Sequence, residues 1–316
     1  MTRHITIGTR ASPLALAQTE QIVAALQSAG GLPADAITVK KISTKGDEIL
    51  DRTLAEIGGK GLFTDELNAG LRDGSIDLAV HSLKDLPTAE TPGLLTAAMP
   101  PREDARDILI MASPDGPTHA SLADLPDGAR VGTASLRRKA QILQARPDLD
   151  IVPLRGNIGT RLGKLSPDGV AATMLAMAGL NRMGYAGLGW QALAPNIMLP
   201  AAGQGALAVQ CRADDADLIA RLAALDDAGT RACVTAERSF LAGLDGSCRT
   251  PIAALAIRDD ENAQTAFLHG RLLAEDGTEC VEDTCRFDLT DIDAAYAAGA
   301  QLADNLRARA PHLVTG

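Results

Sequence analysis

Cys248 lies in the stretch DGSCRTPI, residues 245–252, with a glycine and a serine before it and an arginine and a proline after it. Turn-forming residues of this kind make a loop, not a packed helix or strand. Two readings of the thiol follow. It is a small buried hydrophobe, as cysteines commonly are, or it is a nucleophile or point of covalent attachment whose pKa is lowered by neighbouring Arg249. Gly246 and Ser247 leave room beside it for a bulky group.

Asp85 follows Lys84 in LKDLP, just beyond the apolar run of DLAVHSL. As a solvated charge pair it carries little energy. As chemistry, a partly desolvated carboxylate among cations can stabilise positive charge developing on a substrate nitrogen and exchange a proton with it. Spacing alone does not choose between these.

The basic residues recur where strands are expected to end. Arg10 precedes a helix start, Arg137 and Arg138 open a helix after VGTAS, and Arg155 and Arg161 flank the turn GNIGT. In open α/β sheets ligands sit outside the carboxyl ends of the strands, where helix amino termini offer free N–H groups and partial positive charge. Arginine adds paired, charge-assisted hydrogen bonds to a carboxylate, each contributing about 1.5–3 kcal/mol when shielded from water. A ligand with many carboxylates would suit such a set. Ordinary surface arginines are the alternative, since charged side chains are mostly exposed.

The elements that must position these residues alternate. HITIGTR reads as a strand, and Ser12 and Pro13 supply a cap and a first-turn proline for a helix running to Gly30 and Gly31. AITVKKIST and SIDLAVHSL read as strands, with a helix over LFTDELNAGLRDG between them. The pattern restarts after MPPREDARD with the strand ARVGTA, a helix over LRRKAQILQAR capped by Ser135, the strand IVPLRGN, and helices in IGTRLGKL and AMAGLNRMG. GALAVQC is a buried strand after a proline and glycine break. Beyond it come a helix in TRACVTAERSFLAG, antiparallel strands in IAALAIRD, AFLHGRLLAEDG and CRFDL, and a closing amphipathic helix.

With 316 residues the chain exceeds what one core usually serves. A net charge of −10 disfavours general nucleic-acid binding, so any anion site is local. Five cysteines without a CxxC pair argue against a disulfide framework and a common zinc site, and no metal is expected. No apolar stretch is long enough to cross a bilayer and no signal segment is evident, so a cytoplasmic protein is expected. GQGALA, residues 203–208, fits a dinucleotide pattern but leads into a strand, not a helix. His81 and Ser82 lack a nucleophile elbow, and His81 reads as a hydrogen-bonded core residue.

Taken together, IGTRASPLALAQ, GGKGLFTDEL, DLAVHSLKDLPT, VGTASLRRKAQ, LRGNIGTRL, LPAAGQGAL and DGSCRTPIAA resemble the porphobilinogen deaminase (hydroxymethylbilane synthase) family of tetrapyrrole biosynthesis. The resemblance runs in order over nearly the whole chain. It implies a dipyrromethane cofactor joined to Cys248 by a thioether. On this primer four porphobilinogen units condense with loss of ammonia before water releases hydroxymethylbilane.

The same resemblance makes Asp85 the catalytic carboxylate, contacting pyrrole nitrogens and steadying the cation formed on deamination. It assigns Ser12, Lys84, Thr133, Ser135, Arg137, Arg138 and Arg155 to the cofactor. Arg10, Gln18, Lys60, Phe63, Arg155, Arg161, Arg182 and Gln204 are assigned to substrate, with Lys60 and Phe63 on an active-site loop at 46–63. Some relatives have lysine at Glu56 and glycine at Ser247.

The fold it implies is α/β: two doubly wound domains like periplasmic binding proteins, and a smaller C-terminal α+β domain. Residues 1–100 with 201–220 form the first, 101–200 the second and 221–316 the third, with hinges near 100 and 200. The expected partners are porphobilinogen and the growing polypyrrole chain, with neither nucleic acid nor membrane, and the expected state is a monomer. The rival readings are a non-catalytic anion-binding module and a dehydrogenase using GQGALA. Neither requires Cys248.

Overall fold

The structure is a computed structural model that describes residues 3–44, 46, 64–113, 115–244 and 250–314. In chain order the first strands are β1 Ile5–Arg10, β2 Ile37–Ile42, β3 Leu78–Ser82, β4 Leu94–Ala98, β5 Asp107–Met111 and β6 Thr118–Ala120. They are followed by β7 Arg130–Gly132, β8 Asp150–Val152, β9 Ala172–Ala176, β10 Leu207–Arg212, β11 Ile252–Arg258, β12 Thr265–Leu273 and β13 Cys280–Asp288. The described α-helices are α1 Pro13–Ser28, α2 Asp65–Arg72, α3 Leu136–Ala145, α4 Ile158–Leu162, α5 Met177–Arg182, α6 Ala216–Leu222, α7 Ala228–Gly243 and α8 Ile292–Arg309.

Two compact units form. One takes the described residues up to Glu103 together with Gly205–Arg231, and the other takes Asp104–Gln204 and the described residues from Ala232 onward. The first holds a sheet of order β2-β1-β3-β10-β4, in which β1 runs parallel to β2 and β3 while β10 runs antiparallel to β3 and β4. Ile5, Ile7, Leu78, Val80 and Val209 pack on Ile22 and Leu26 of α1 and Leu218 and Leu222 of α6. A second cluster, Leu67 and Leu71 of α2 against Ile76 and Ala79, completes the burial. Strands covered in this way need continuous apolar runs. The chain's return is fastened where the Arg3 guanidinium donates to Asp215 at 2.6 Å and to Asp77 at 3.0 Å.

The second unit repeats this layout as β6-β5-β9-β7-β8, with β7 parallel to β8 and β9 and with β5 antiparallel to β9 and β6. Three of its strands, β5, β6 and β9, were not expected from the sequence. The segments of β5 and β9, DILIM and ATMLA, are mostly apolar and buried on both faces, so neither period 2 nor period 3.6 marks them.

The smaller α+β part is the antiparallel sheet β11-β12-β13 with α7 and α8 packed around Phe240. A side chain on Gly299 of α8 would collide with the Ala236 carbonyl of α7, so glycine permits the close helix approach. Strand β13 begins at Cys280, five residues before the expected CRFDL, because its exposed run of Glu282, Asp283 and Thr284 resembles a loop. Arg271 of β12 donates to Gln141 Oε1 on α3 at 2.8 Å, and the Ala254 N–H donates to the Pro200 carbonyl at 3.0 Å. These bonds tie the third sheet to the second. The overall class is α/β with a smaller α+β part, as expected.

Candidate functional site

In the first unit the candidate residues lie at the carboxyl ends of β1 and β3. Ser12 caps α1 through its Oγ, which accepts from the Ala15 N–H at 3.3 Å, and so turns the chain sharply after Arg10. A single 3-10 turn, Leu83–Asp85, follows β3 and leaves Lys84 and Asp85 exposed while Leu83 is buried. Arg10 Nη1 stands 3.8 Å from Asp85 Oδ2. That is an ion pair but too long for a hydrogen bond. Asp85 makes no side-chain hydrogen bond among the described residues, so its lone pairs remain for a donor from outside. Gln18 is buried and its amide donates to Ser82 Oγ at 2.7 Å, bracing the strand end that leads into this turn.

His81, in β3 four residues before Asp85, is buried as expected, but its Nε2 finds no hydrogen-bond partner among the described residues. Burial pushes its pKa down to about 4. Gln210 on β10 opposes that shift and the charge of Arg10 adds to it. The ring is neutral at neutral pH.

In the second unit the basic residues again follow strand ends. Thr133 succeeds β7, and its Oγ1 accepts from the Ser135 N–H at 3.2 Å. Ser135 caps α3 by accepting from the Arg138 N–H at 3.4 Å. Arg155 follows β8. Arg161 in α4 donates its Nε to the Gly156 carbonyl at 2.8 Å, which fixes the turn between them, and Gly156 itself needs the φ of 124° that a side chain would resist. Arg182 lies in the last turn of α5, the helix that follows β9.

Arg137 and Arg138 are not surface arginines: each is 6 % exposed. Both donate to the fully buried carboxylate of Asp107, Arg137 Nη1 at 2.7 Å and Arg138 Nη2 at 2.6 Å. Gln204, also buried, donates to the Ala105 carbonyl at 2.7 Å and to Asp107 Oδ1 at 3.0 Å. Burial alone would raise the Asp107 carboxyl, but the charges of Arg137 and Arg138 and their hydrogen bonds outweigh it and hold it below the usual carboxylate range. Sequence reasoning missed Asp107. The available signal was an acid opening an apolar strand, a place where a charge must find partners.

The GQG turn is explained locally. Gly203 and Gly205 take left-handed φ values of 72° and 88°, and the chain then enters β10, so the glycines serve a turn and not a dinucleotide loop. Cys248, Lys60 and Phe63 lie outside the described residues, as do Glu56 and Ser247.

The donor set can be compared with a polycarboxylate cofactor. Arg138 Nε and Arg155 Nη1 are buried nitrogens without a hydrogen-bond partner among the described residues. Buried donors normally have partners, and carboxylates would satisfy these two. Among the described residues no group of His, Cys, Asp and Glu is placed to hold a metal ion, and no helix is long and apolar enough to cross a membrane.

Residues 5–220 match the family described as porphobilinogen deaminase, dipyromethane cofactor binding domain, and residues 231–308 match its C-terminal domain. The chain belongs to the porphobilinogen deaminase family. Its relatives include the porphobilinogen deaminase of Paracoccus denitrificans, 48 % identical over 97 % of this chain and 95 % of that protein. That of Moorella thermoacetica is 47 % identical over 97 % and 94 %. Porphobilinogen deaminases are transferases, also called hydroxymethylbilane synthases, and the dipyrromethane cofactor belongs to the matched domain. Distant likenesses among solved structures include an arginine-specific periplasmic binding protein of Salmonella typhimurium, at 13 % identity and a TM-score of 0.36 over 71 % of this chain and 92 % of that one. A periplasmic domain of BvgS from Bordetella pertussis gives 15 % identity and a TM-score of 0.38 over 71 % and 86 %.

Proposed function

We propose that the chain condenses four porphobilinogen units, one at a time, on a dipyrromethane bound to Cys248 and releases hydroxymethylbilane, with Asp85 as its catalytic carboxylate. The observation that carries the assignment of Asp85 is its position: partly exposed at a strand's carboxyl end, charge-compensated by Arg10 at 3.8 Å, and with no hydrogen bond of its own among the described residues. The tethered dipyrromethane supplies the nucleophilic pyrrole carbon. Asp85 does the rest of the charge and proton handling. Loss of ammonia from the protonated aminomethyl group leaves a cation, which the carboxylate stabilises through the pyrrole N–H. Asp85 would also be the base that accepts the proton displaced on carbon–carbon bond formation.

The other residues bind and orient. Arg10, Lys84, Arg155, Arg161 and Arg182 take acetate and propionate groups, with Arg137 and Arg138 acting from their buried cluster. Ser12, Thr133 and Ser135 hold the turns that carry them, and Gln18 and Gln204 brace the strand ends. Lys60 and Phe63 serve substrate from the 46–63 segment. Residues 1–100 with 201–220 thus carry Asp85, 101–200 carry the arginines, and 221–316 carry the attachment cysteine. In this reading the protein works as a cytoplasmic monomer.

Intact mass of the denatured full chain tests the proposal. An adduct of dipyrromethane size that is lost in Cys248→Ser is expected, together with ammonia release from porphobilinogen. A bare polypeptide with full deaminase activity overturns it.

A further inference from the structure

Each guanidinium carries five N–H donors. Arg137 uses two, both on Nη1, for Asp107 Oδ2 and the Leu199 carbonyl at 2.7 Å each. Arg138 gives Nη2 to Asp107 Oδ1 at 2.6 Å and Nη1 to the Met174 carbonyl at 2.9 Å. Among the remaining donors, the buried Arg138 Nε has no hydrogen-bond partner among the described residues. The charges do not balance either: two guanidiniums face one carboxylate, and the other group bonded to Asp107 is the neutral amide of Gln204. A buried cluster with one net positive charge and an unmet donor is costly unless an anion completes it.

We propose that Asp107 is a positioning residue for the condensation: it clamps one edge of Arg137 and one of Arg138, leaving a net charge and a donor set that accept a single substrate or primer carboxylate. The proposal rests on the reading above in which this pair binds pyrrole side-chain carboxylates. Asp107 has two parts in it. With the Leu199 carbonyl it holds the Arg137 guanidinium, and with the Met174 carbonyl that of Arg138, so the donor left over keeps its direction. It also cancels one of the two positive charges, so that a carboxylate of the lengthening chain is held yet can leave as the next unit arrives. The aspartate touches no substrate and acts only through the arginines.

The test compares the full-length protein with Asp107→Asn, Arg138→Gln and the double variant. Asp107→Asn keeps the side chain's shape and removes its charge. Its kcat/KM for porphobilinogen is expected to fall roughly 10- to 100-fold in the folded protein, the scale of a small misplacement of a binding group. The double variant restores one net charge in the cluster, so its melting temperature returns toward that of the unaltered protein while its kcat/KM stays low. Asp107→Asn with unaltered kcat and KM, beside an impaired Arg138→Gln, overturns the role of Asp107 and leaves the arginine reading standing. If Asp107→Asn fails to fold, the double variant decides, because recovery of both stability and turnover there would make the cluster a purely structural ion pair. An unaltered protein with neither adduct nor ammonia release would instead defeat the parent reading.

Discussion

Arg10 and Asp85 face each other at 3.8 Å, close enough for charge compensation and too far for a hydrogen bond. Asp107 presents the opposite case. It is fully buried, and its oxygens accept from Arg137, Arg138 and Gln204 at 2.6–3.0 Å. Both are aspartates next to arginine, yet one is committed to its neighbours and the other is left with its lone pairs available. This difference separates a residue that can act on substrate from one that positions others.

Asp85→Asn keeps the size of the side chain and removes its charge and basicity. Turnover is expected to drop by about 10²-fold or more, the usual span for a general acid–base group, while the mass adduct on Cys248 persists. Near-normal ammonia release by the variant would remove Asp85 from this role.

The thiols should separate cleanly. Burial pushes Cys211 up to about 11, with Asp215 adding to the shift, and burial likewise raises Cys280 and Cys285. These are poor nucleophiles near neutrality. Native primer-loaded protein is expected to react slowly with a thiol reagent at pH 8, and a fast-reacting Cys211 would contradict the buried placement of β10.

Acid should destabilise the fold in two windows. His81 has its pKa lowered from 6.5 to about 4, so the unfolded chain binds its proton first. Its full contribution is therefore present above about pH 6.5 and is lost as pH falls toward 4, a change of roughly 3 kcal/mol. Asp107 lies below the usual carboxylate range, so the stability it contributes is present above about pH 4 and declines only below that. Denaturant melts from pH 7 to 4 are expected to show the first slope, reduced in His81→Asn. An equal slope in that variant would assign it elsewhere.

Glu237 of α7 is fully buried and accepts from the Gly203 N–H at 2.7 Å and the Ala256 N–H at 2.8 Å. Glu237→Ala leaves both donors without that carboxylate. Each orphaned buried donor costs about 1–3 kcal/mol, so the two together are expected to cost roughly 2–6 kcal/mol in chemical denaturation. A change below 1 kcal/mol would mean that water or a neighbour replaces the carboxylate.

Much of the local structure was legible because its signals are local. Ser12 and Pro13 mark the start of α1 through cap and proline chemistry, and Ser135 marks α3 in the same way. Apolar periodicity marked β1, β3 and α8. Strands β5 and β9 escaped because burial on both faces erases alternation, and the start of β13 escaped because its polar face is exposed.

The sequence by itself determined which side chains could do chemistry and in what order they come: the loop thiol, the acid after a strand, and arginines at one turn after another. Those follow from residue type and short-range spacing. Only the tertiary structure decided which charges meet. Arg137 and Arg138 look like solvated helix residues until Asp107, thirty residues away from Arg137, and Gln204 close around them. Gln18 looks like a surface amide until Ser82 is brought beside it. Burial and partner choice depend on contacts between segments distant in the chain, and local propensity carries no information about those contacts.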